Sequence, residues 1–309
     1  MEEGTIEQEL AACRLCPRGC GVNRLAGKKG RCGVAGRVKV ARAALHMWEE
    51  PCISGEQGSG AVFFAGCSLG CVYCQNRTIA GGQAGKEISV RRLSEIFLQL
   101  QEKGAANINL VTAGHFLPQV IEALIKAKKE GLRLPVVYNS GGYERAEALA
   151  RLEGLVDIYL PDLKYVSADL AGQYSGAPDY FTVASAALKE MVRQVEAAGS
   201  GSAVFTEKGM MKRGVIVRHL QLPGCLADSK RVVRYLYETY GDRIFISLLS
   251  QYTPLAQMAA WPKLNRRVTR REYDALVDYA IGLGVENGFI QEGDTAQESF
   301  IPPFDEEGV

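Results

Sequence analysis

Six short apolar runs, each followed by a helical stretch, constrain the fold more than any other feature of this sequence. The runs are AVFFAG, INLVTAGH, PVVYNSGGY, VDIYLPDLKY, VIVRHLQLPG and IFISLLSQYTP. Between them lie amphipathic segments such as FLPQVIEALIKAKKEG, in which Val120, Leu124 and Ile125 share one face. Continuous Val/Ile/Leu runs that alternate with helices are typical of a parallel sheet covered by helices. We therefore predict an α/β fold, a partial (β/α)6 TIM-like barrel, with a doubly wound open sheet as the alternative.

The chain divides into three predicted parts. Its 309 residues suffice for one large domain or two small ones, and the only sharp change of composition is the Cys-, Gly- and Arg-rich stretch 13–36. We predict an N-terminal Cys-rich metal-binding segment with a bridge at 1–58, the barrel at 59–292 and a C-terminal tail at 293–309. If the tail covers the open side of the barrel, Phe300 and Phe304 are expected to pack there.

Charge and hydropathy narrow the range of partners. The 36 Lys and Arg residues nearly balance the 35 Asp and Glu residues, which disfavours a nucleic-acid partner. No apolar run approaches the roughly 20 residues that a membrane helix needs. The first ten residues, MEEGTIEQEL, are polar and acidic, unlike a signal peptide. The sequence predicts a cytoplasmic protein without a membrane partner.

Seven of the nine cysteines fall into two groups, and clustered thiols in a reducing compartment are more often metal ligands than disulfides. Cys67, Cys71 and Cys74 have the spacing C-x3-C-x2-C with no fourth cysteine beside them. Structural zinc takes four protein ligands, whereas a [4Fe–4S] cluster held by three cysteines leaves one iron free for another ligand. The trio therefore predicts an open iron–sulfur site.

The second group predicts a closed metal site. Cys13, Cys16, Cys20 and Cys32 form a set of four thiols that suits structural Zn²⁺ and equally suits a second iron–sulfur cluster, with metal-free thiols as a third possibility. The two isolated cysteines, Cys52 and Cys225, are interpreted as ordinary packed residues, and His46 is assigned a structural role.

Polar side chains follow each of the six apolar runs. In parallel α/β folds, chemistry gathers at the carboxyl ends of the strands, so these side chains are candidate site residues. In chain order they are Cys67, His115, Asn139 with Ser140, Asp162 with Lys164, Arg218 with His219, and Ser250 with Gln251 and Tyr252. His219 is interpreted either as a cavity residue or as a core histidine.

The segments GCSLGCVYCQN, LPDLKY, VRHLQLPG and SQYTP together resemble the radical S-adenosylmethionine (radical SAM) superfamily, in its pyruvate formate-lyase activating enzyme-like, PflX-type branch. The resemblance implies a barrel of the radical SAM type in which the Cys67, Cys71 and Cys74 thiolates hold a [4Fe–4S] cluster. It also implies reductive cleavage of SAM to a 5′-deoxyadenosyl radical, which abstracts hydrogen from an unidentified substrate, a protein or glycyl-radical enzyme among the candidates. The implied partners are SAM and a low-potential electron donor such as flavodoxin or ferredoxin, under anaerobic conditions.

The same resemblance suggests which residues contact SAM, and it implies no catalytic side chain beyond the cluster and SAM. Tyr73 resembles the aromatic residue whose backbone meets the adenine, and the DLK stretch resembles a SAM-contacting motif. The implied cofactor-binding set is Tyr73, Thr112, Gly114, His115, Asn139, Ser140, Asp162, Lys164 and Arg218. The competing interpretation of Asp162 and Lys164 is a surface ion pair.

Two departures from the family pattern limit what the resemblance implies. Many members end their second strand in Gly-Gly-Glu, which grips the methionine amine, whereas residues 112–115 read TAGH, so Asp162 becomes the candidate amine contact. The segment GSGAVFFAGC also lacks the Gly-x-Arg of glycyl-radical activases, so the family label does not establish that activity. An iron–sulfur electron carrier without SAM chemistry and a zinc-dependent enzyme or nucleic-acid modifier remain alternatives.

Overall fold

The computed structural model describes residues 3–199, 201, 203–291 and 302–309 of the chain. The strands are β1 (Val38–His46), β2 (Ser59–Phe64), β3 (Lys86–Ile88), β4 (Ile108–Val111), β5 (Val136–Ser140), β6 (Ile158–Pro161), β7 (Val204–Phe205), β8 (Met211–Leu220), β9 (Phe245–Leu249) and β10 (Gly288–Ile290). The α-helices are α1 (Glu3–Ala11), α2 (Pro51–Ser54), α3 (Arg77–Ala80), α4 (Val90–Glu102), α5 (Leu117–Lys129), α6 (Ala146–Leu149), α7 (Ala168–Ser175), α8 (Tyr180–Ala197), α9 (Leu226–Tyr240) and α10 (Arg270–Leu283). Within these described ranges, no helix combines the length and apolarity needed to cross a membrane.

The predicted α/β fold with a parallel-rich sheet is confirmed. The strands lie in the order β10-β9-β8-β6-β5-β4-β2-β1-β3, with β7 paired to β8. Every pair from β10 to β2 is parallel, and the pairs that β1 makes with β2 and β3 are antiparallel. The six predicted runs form β2, β4, β5, β6, β8 and β9, and β10 adds a seventh parallel strand. Over the described residues the sheet ends at β10 and β3 and is not closed into a barrel.

The pattern of burial explains why these runs read as continuous apolar stretches. Every residue of β2, β4, β5 and β6 is buried, because helices cover one face of the sheet and the interior packing covers the other. The helix α4 begins where the Ser89 side chain accepts a hydrogen bond from the Arg92 amide, and α10 begins at a capping box between Thr269 and Glu272.

The predicted bridge is part of the main sheet. β1 pairs antiparallel with β2 along most of its length, with His46 opposite Ser59, and Trp48 and Glu49 just beyond β1 line the cavity described below. The C-terminal residues 302–309 lie along the same strand, where the Ala43 amide donates to the carbonyl of Glu307. Phe304 packs edge-to-face on Phe63 with ring centroids 5.6 Å apart, whereas Phe300 falls outside the described residues. The division at 58/59 and 292/293 stays a prediction.

The Cys-rich segment is anchored on the loops that follow β2 and β4. Arg24 is 1% exposed and donates to the carbonyls of Ala35 and His115, with its guanidinium over the Phe116 ring. A side chain at Gly33 would place its Cβ 2.3 Å from the carbonyl oxygen of Gly81, so the two backbones touch. The segment therefore packs against the carboxyl end of the sheet.

Candidate cofactor site at the carboxyl ends of the strands

A cavity of ≈ 250 Å³ lies where β2, β4, β5, β6, β8 and β9 end. Eleven of the predicted site residues line it: Cys67, Cys71, Tyr73, Cys74, Thr112, Asn139, Ser140, Asp162, Lys164, Arg218 and Gln251. These residues span more than 150 positions of sequence, and the parallel sheet brings them together because the carboxyl ends of its strands meet at one edge. The cavity therefore lies at the edge of the sheet where these side chains meet.

The three thiols Cys67, Cys71 and Cys74 face this cavity from the loop after β2, and none is in a disulfide. Burial raises the pKa of Cys67 above its usual range and raises that of Cys74 to about 11, because the thiolate form is poorly solvated there. Metal binding requires deprotonated thiols, so binding a metal group would release these protons.

A chain of three hydroxyl groups ends on one of these sulfurs. The Tyr165 hydroxyl donates to the Tyr73 oxygen at 2.6 Å and lies 3.0 Å from Ser175 Oγ, which lies 3.0 Å from Cys71 Sγ. Hydroxyl protons can rotate, so Ser175 can accept from the thiol or donate to the thiolate. The side chain of Tyr73, which is 6% exposed, is thus held by a buried hydrogen bond.

Asp162, Lys164 and Arg218 form a paired ionic network on the opposite wall. Lys164 Nζ lies 2.6 Å from Asp162 Oδ2, and Arg218 Nε lies 3.1 Å from Asp162 Oδ1. Burial alone would raise the pKa of Asp162, but the two cations outweigh it and hold that pKa below its usual value. Asp162 and Lys164 do form the ion pair that the competing interpretation expects, but the pair lines a cavity rather than an exposed surface.

Glu49 completes the network and was missed by the sequence interpretation. Its Oε2 accepts from Arg218 at 3.0 Å, and its Oε1 accepts from Asn109 at 2.9 Å and Asn139 at 3.2 Å. Only 8% of its side chain is exposed. Glu49 lies shortly after the end of β1 and places a carboxylate in the cavity wall.

Thr112 holds a strained backbone at the cavity wall. Its φ of 61° lies in the left-handed region, which a β-branched residue rarely adopts. Its amide donates to the carbonyl of Asn139 at 2.8 Å, which ties the ends of β4 and β5 together. Strain of this kind is characteristic of functional sites, although the observation by itself assigns no role.

Two predicted cofactor contacts, Gly114 and His115, do not line the cavity. A 3-10 helix, Gly114–Phe116, begins directly after β4 and turns both residues away. His115 is 4% exposed, and its Nε2 lies 2.8 Å from the carbonyl of Ala65, which requires the proton on Nε2. Burial lowers the pKa of His115 to about 4, so its ring is neutral.

His219 belongs to the core, because adjacent strand residues face opposite sides and Arg218 takes the cavity side. Its Nδ1 lies 2.8 Å from the carbonyl of Leu163, inside the DLK stretch. His46, by contrast, lines the cavity and packs edge-to-face on Phe63, so its contacts include the site as well as the core.

A second cavity of ≈ 330 Å³ adjoins the first at the open side of the sheet, between the end of β1 and β10. The two cavities share the lining residues Trp48, Glu49, Arg218, Leu249 and Gln251. Together they give a volume in the range typical of small-molecule sites. A ligand in one cavity would therefore be next to a ligand in the other.

The four N-terminal thiols also lie near one another. Burial, with smaller contributions from Cys32 and Cys13, raises the pKa of Cys16 to about 11. Burial also raises the pKa of Cys32 above its usual value, with smaller contributions from Cys13 and Cys20. The Arg31 amide donates to Cys20 Sγ at 3.4 Å. A Cβ at Gly30 would lie 3.0 Å from the same sulfur, so glycine leaves room for it.

The cysteine sulfurs of both groups are the type of ligand that the expected metal groups take. Soft thiolates are the ligands of zinc and of iron–sulfur clusters. Among the described residues, no group of three or more His, Cys, Asp or Glu side chains is arranged to hold a single metal ion. The metal at the N-terminal group stays a prediction.

Three thiols and an ionic network thus line one cavity at the carboxyl ends of the parallel strands. Residues 61–198 match the family model described as Radical SAM superfamily. The match supports SAM-dependent radical chemistry in general, since members of this superfamily are enzymes, and it implies a [4Fe–4S] cluster and SAM. It includes Cys67, Cys71 and Cys74 but neither Glu49 nor Arg218.

The chain is also similar to several known proteins. It is 26% identical over 282 residues to an uncharacterized protein of Methanocaldococcus jannaschii, covering 87% of this chain and 74% of the relative. SuiB of Streptococcus suis, in a structure with the precursor peptide SuiA, is 14% identical with a TM-score of 0.48, over 73% of this chain and 46% of SuiB. A domain of a pyruvate-formate lyase-activating enzyme from Bacteroides vulgatus is 15% identical with a TM-score of 0.38, over 57% of this chain and 92% of that domain. This chain thus spans less than half of SuiB.

Proposed function

We propose that this chain is a radical SAM enzyme in which Cys67, Cys71 and Cys74 hold a [4Fe–4S] cluster. When bound, such a cluster supplies the electron that cleaves SAM to methionine and a 5′-deoxyadenosyl radical. The observation that carries the proposal is the convergence of three thiols and a buried ionic network on one cavity. The PflX-type branch and the identity of the substrate belong to the same proposal and rest on sequence motifs alone.

The protein's own residues bind and orient SAM in this proposal. Lys164 offers an ammonium to the methionine carboxylate, and Asp162 or Glu49 offers carboxylate oxygens to the methionine amine. Each carboxylate is already paired, but a carboxylate accepts about four hydrogen bonds, so capacity remains. Asn139 and Ser140 present amide and hydroxyl groups to the ribose. The second cavity, which shares Arg218 with the first, is where we place the substrate.

The test of this function is anaerobic incubation of reconstituted protein with SAM and dithionite. We expect 5′-deoxyadenosine and methionine to form in equal amounts, detected by chromatography. An electron carrier without SAM chemistry would be reduced by dithionite and would produce neither. A zinc enzyme would lack the brown colour and the absorbance near 400 nm of an iron–sulfur protein.

Substitutions in the ionic network should weaken SAM binding while leaving the cluster intact. In Asp162→Ala and Lys164→Ala, SAM would lose a charge-assisted hydrogen bond worth roughly 1.5–3 kcal/mol, about ten- to a hundredfold in affinity. SAM titrations followed by the cluster spectrum measure the effect. Lys126→Ala, which removes an exposed helix pair with Glu130, is the matched control. Wild-type affinity in both network variants would reduce Asp162 and Lys164 to a structural ion pair.

We propose further that Cys13, Cys16, Cys20 and Cys32 bind structural zinc. The segment has few apolar residues of its own, and four thiolates close the coordination shell of Zn²⁺. Elemental analysis of protein purified without oxygen should find about one zinc and four irons per chain. Eight irons and no zinc would replace this proposal with a second cluster.

A further inference from the structure

Positive charge dominates residues 10–48 of the chain. Residues 10–48 contain nine of the 36 Lys and Arg residues and none of the 35 Asp and Glu residues. The formal net charge of the whole chain is only +1, so the total conceals this local excess. A concentrated positive surface speeds the encounter with an acidic partner.

Four of the nine cations are engaged within the molecule. Arg24 is buried, Arg42 pairs with two carboxylates of the C-terminal residues, and Arg18 and Lys39 donate to backbone carbonyls. The other five are exposed and form no ion pair with any part of the chain that the structure describes. They are Arg14, Lys28, Lys29, Arg31 and Arg37.

Three of these exposed cations belong to residues 23–31, which we call the basic turn. The Lys28 amide donates to the carbonyl of Asn23 at 3.1 Å and closes the turn. Lys28, Lys29 and Arg31 then follow one another beside Cys20, which is itself exposed and accepts from the Arg31 amide. The turn therefore presents three positive charges next to the N-terminal thiols.

The basic turn lies beside the loop that carries the three cavity cysteines. A Cβ at Gly70, the residue before Cys71, would lie 2.4 Å from Nη2 of Arg31, so the guanidinium rests on that loop. Arg18 Nε donates to the carbonyl of Ser68 in the same loop at 2.8 Å. Gly70 is exposed, so the loop reaches the surface at this point. A protein seated on the basic turn would stand next to Cys67, Cys71 and Cys74.

We propose that the basic turn is the docking surface for an acidic one-electron carrier protein. The proposal rests on the proposed function, because the electron is needed by the cluster that the three cysteines hold. In the transfer, the carrier is oxidised by one electron and the cluster is reduced by one, and no bond is made or broken. Residues 10–47 contain no Phe, Trp or Tyr, so the surface lacks the stacking platform typical of single-stranded nucleic-acid sites.

The test reverses the charges of Lys28 and Lys29, which form no ion pair with the described residues. In the double variant Lys28→Glu/Lys29→Glu, we expect reduction of the reconstituted enzyme by reduced flavodoxin to slow by about tenfold or more at low salt. Stopped-flow loss of cluster absorbance measures the rate, and raising the salt should slow the wild type toward the variant. Reduction by dithionite, which needs no docking, should be unchanged. The control Lys208→Glu/Lys212→Glu reverses two exposed charges at the amino end of β8.

Binding of oxidised flavodoxin, measured by titration calorimetry, separates this proposal from the proposed function. Loss of binding in Lys28→Glu/Lys29→Glu but not in the control supports the docking surface even if the wild type failed to cleave SAM. Equal binding and equal reduction rates in wild type and variant would overturn it. Failure of wild-type flavodoxin binding, together with RNA binding that the variant abolishes, would overturn it in favour of a nucleic-acid partner.

Discussion

Replacing Cys67, Cys71 and Cys74 together with alanine should abolish SAM cleavage completely. The three thiols are the only cysteines that line the cavity over the described residues, so no other thiol there could take over as a ligand. We expect the purified triple variant to lose about four irons per chain and the absorbance near 400 nm. The measurements are 5′-deoxyadenosine formation with dithionite and iron analysis on the same sample.

Cys225→Ala is the matched control for this loss. Cys225 is a half-buried free cysteine at the start of α9, outside the cavity lining, so its replacement should leave both cleavage and iron content unchanged. Circular dichroism would check that the triple variant keeps its helices. SAM cleavage at the wild-type rate in the triple variant would show that the chemistry occurs elsewhere.

The sequence predicted β2, β4, β5 and β6 because every residue of these strands is buried, so each reads as an unbroken apolar run. Asn139, Asp162 and Arg218 all line the cavity, since each stands at a strand end and the sheet aligns those ends. Gly114 and His115 do not line the cavity, because a turn of 3-10 helix follows β4 and takes both residues away from it. The hydrophobic periodicity of the sequence gives no signal for a single turn of 3-10 helix.

Glu49 shows a different limit of sequence interpretation. Its partners Asn109, Asn139 and Arg218 lie 60, 90 and 169 residues further along the chain. Only the antiparallel pairing of β1 with β2 sets where Glu49 emerges, and strand pairing of an irregular bridge leaves no periodic signal. The net charge of the whole chain is also a poor guide to local charge. A net charge near zero argued against a basic face, yet the exposed cations of the basic turn lie close together in sequence.

Arg218→Met should be among the most destabilising single substitutions in the molecule. Arg218 is the shared partner of Glu49 and Asp162, and the exposed fractions of the three side chains are 16%, 8% and 22%. Removing one partner of a buried ion pair leaves uncompensated charge in a poorly solvated place and typically costs about 3–5 kcal/mol. We expect a loss of that size in the free energy of unfolding, measured by denaturant titration under anaerobic conditions.

The double variant Arg218→Met/Glu49→Gln should be more stable than Arg218→Met alone. Glutamine keeps an oxygen for the Asn109 and Asn139 amides while removing the charge that Arg218 neutralised, so the two substitutions should couple by roughly 0.5–3 kcal/mol. Arg193→Met, which removes an exposed guanidinium paired with Glu153 and Glu190, should unfold close to the wild-type midpoint. If Glu49→Gln instead deepened the loss, Glu49 would be stabilised by something other than Arg218, and the network would not be the electrostatic unit that its geometry indicates.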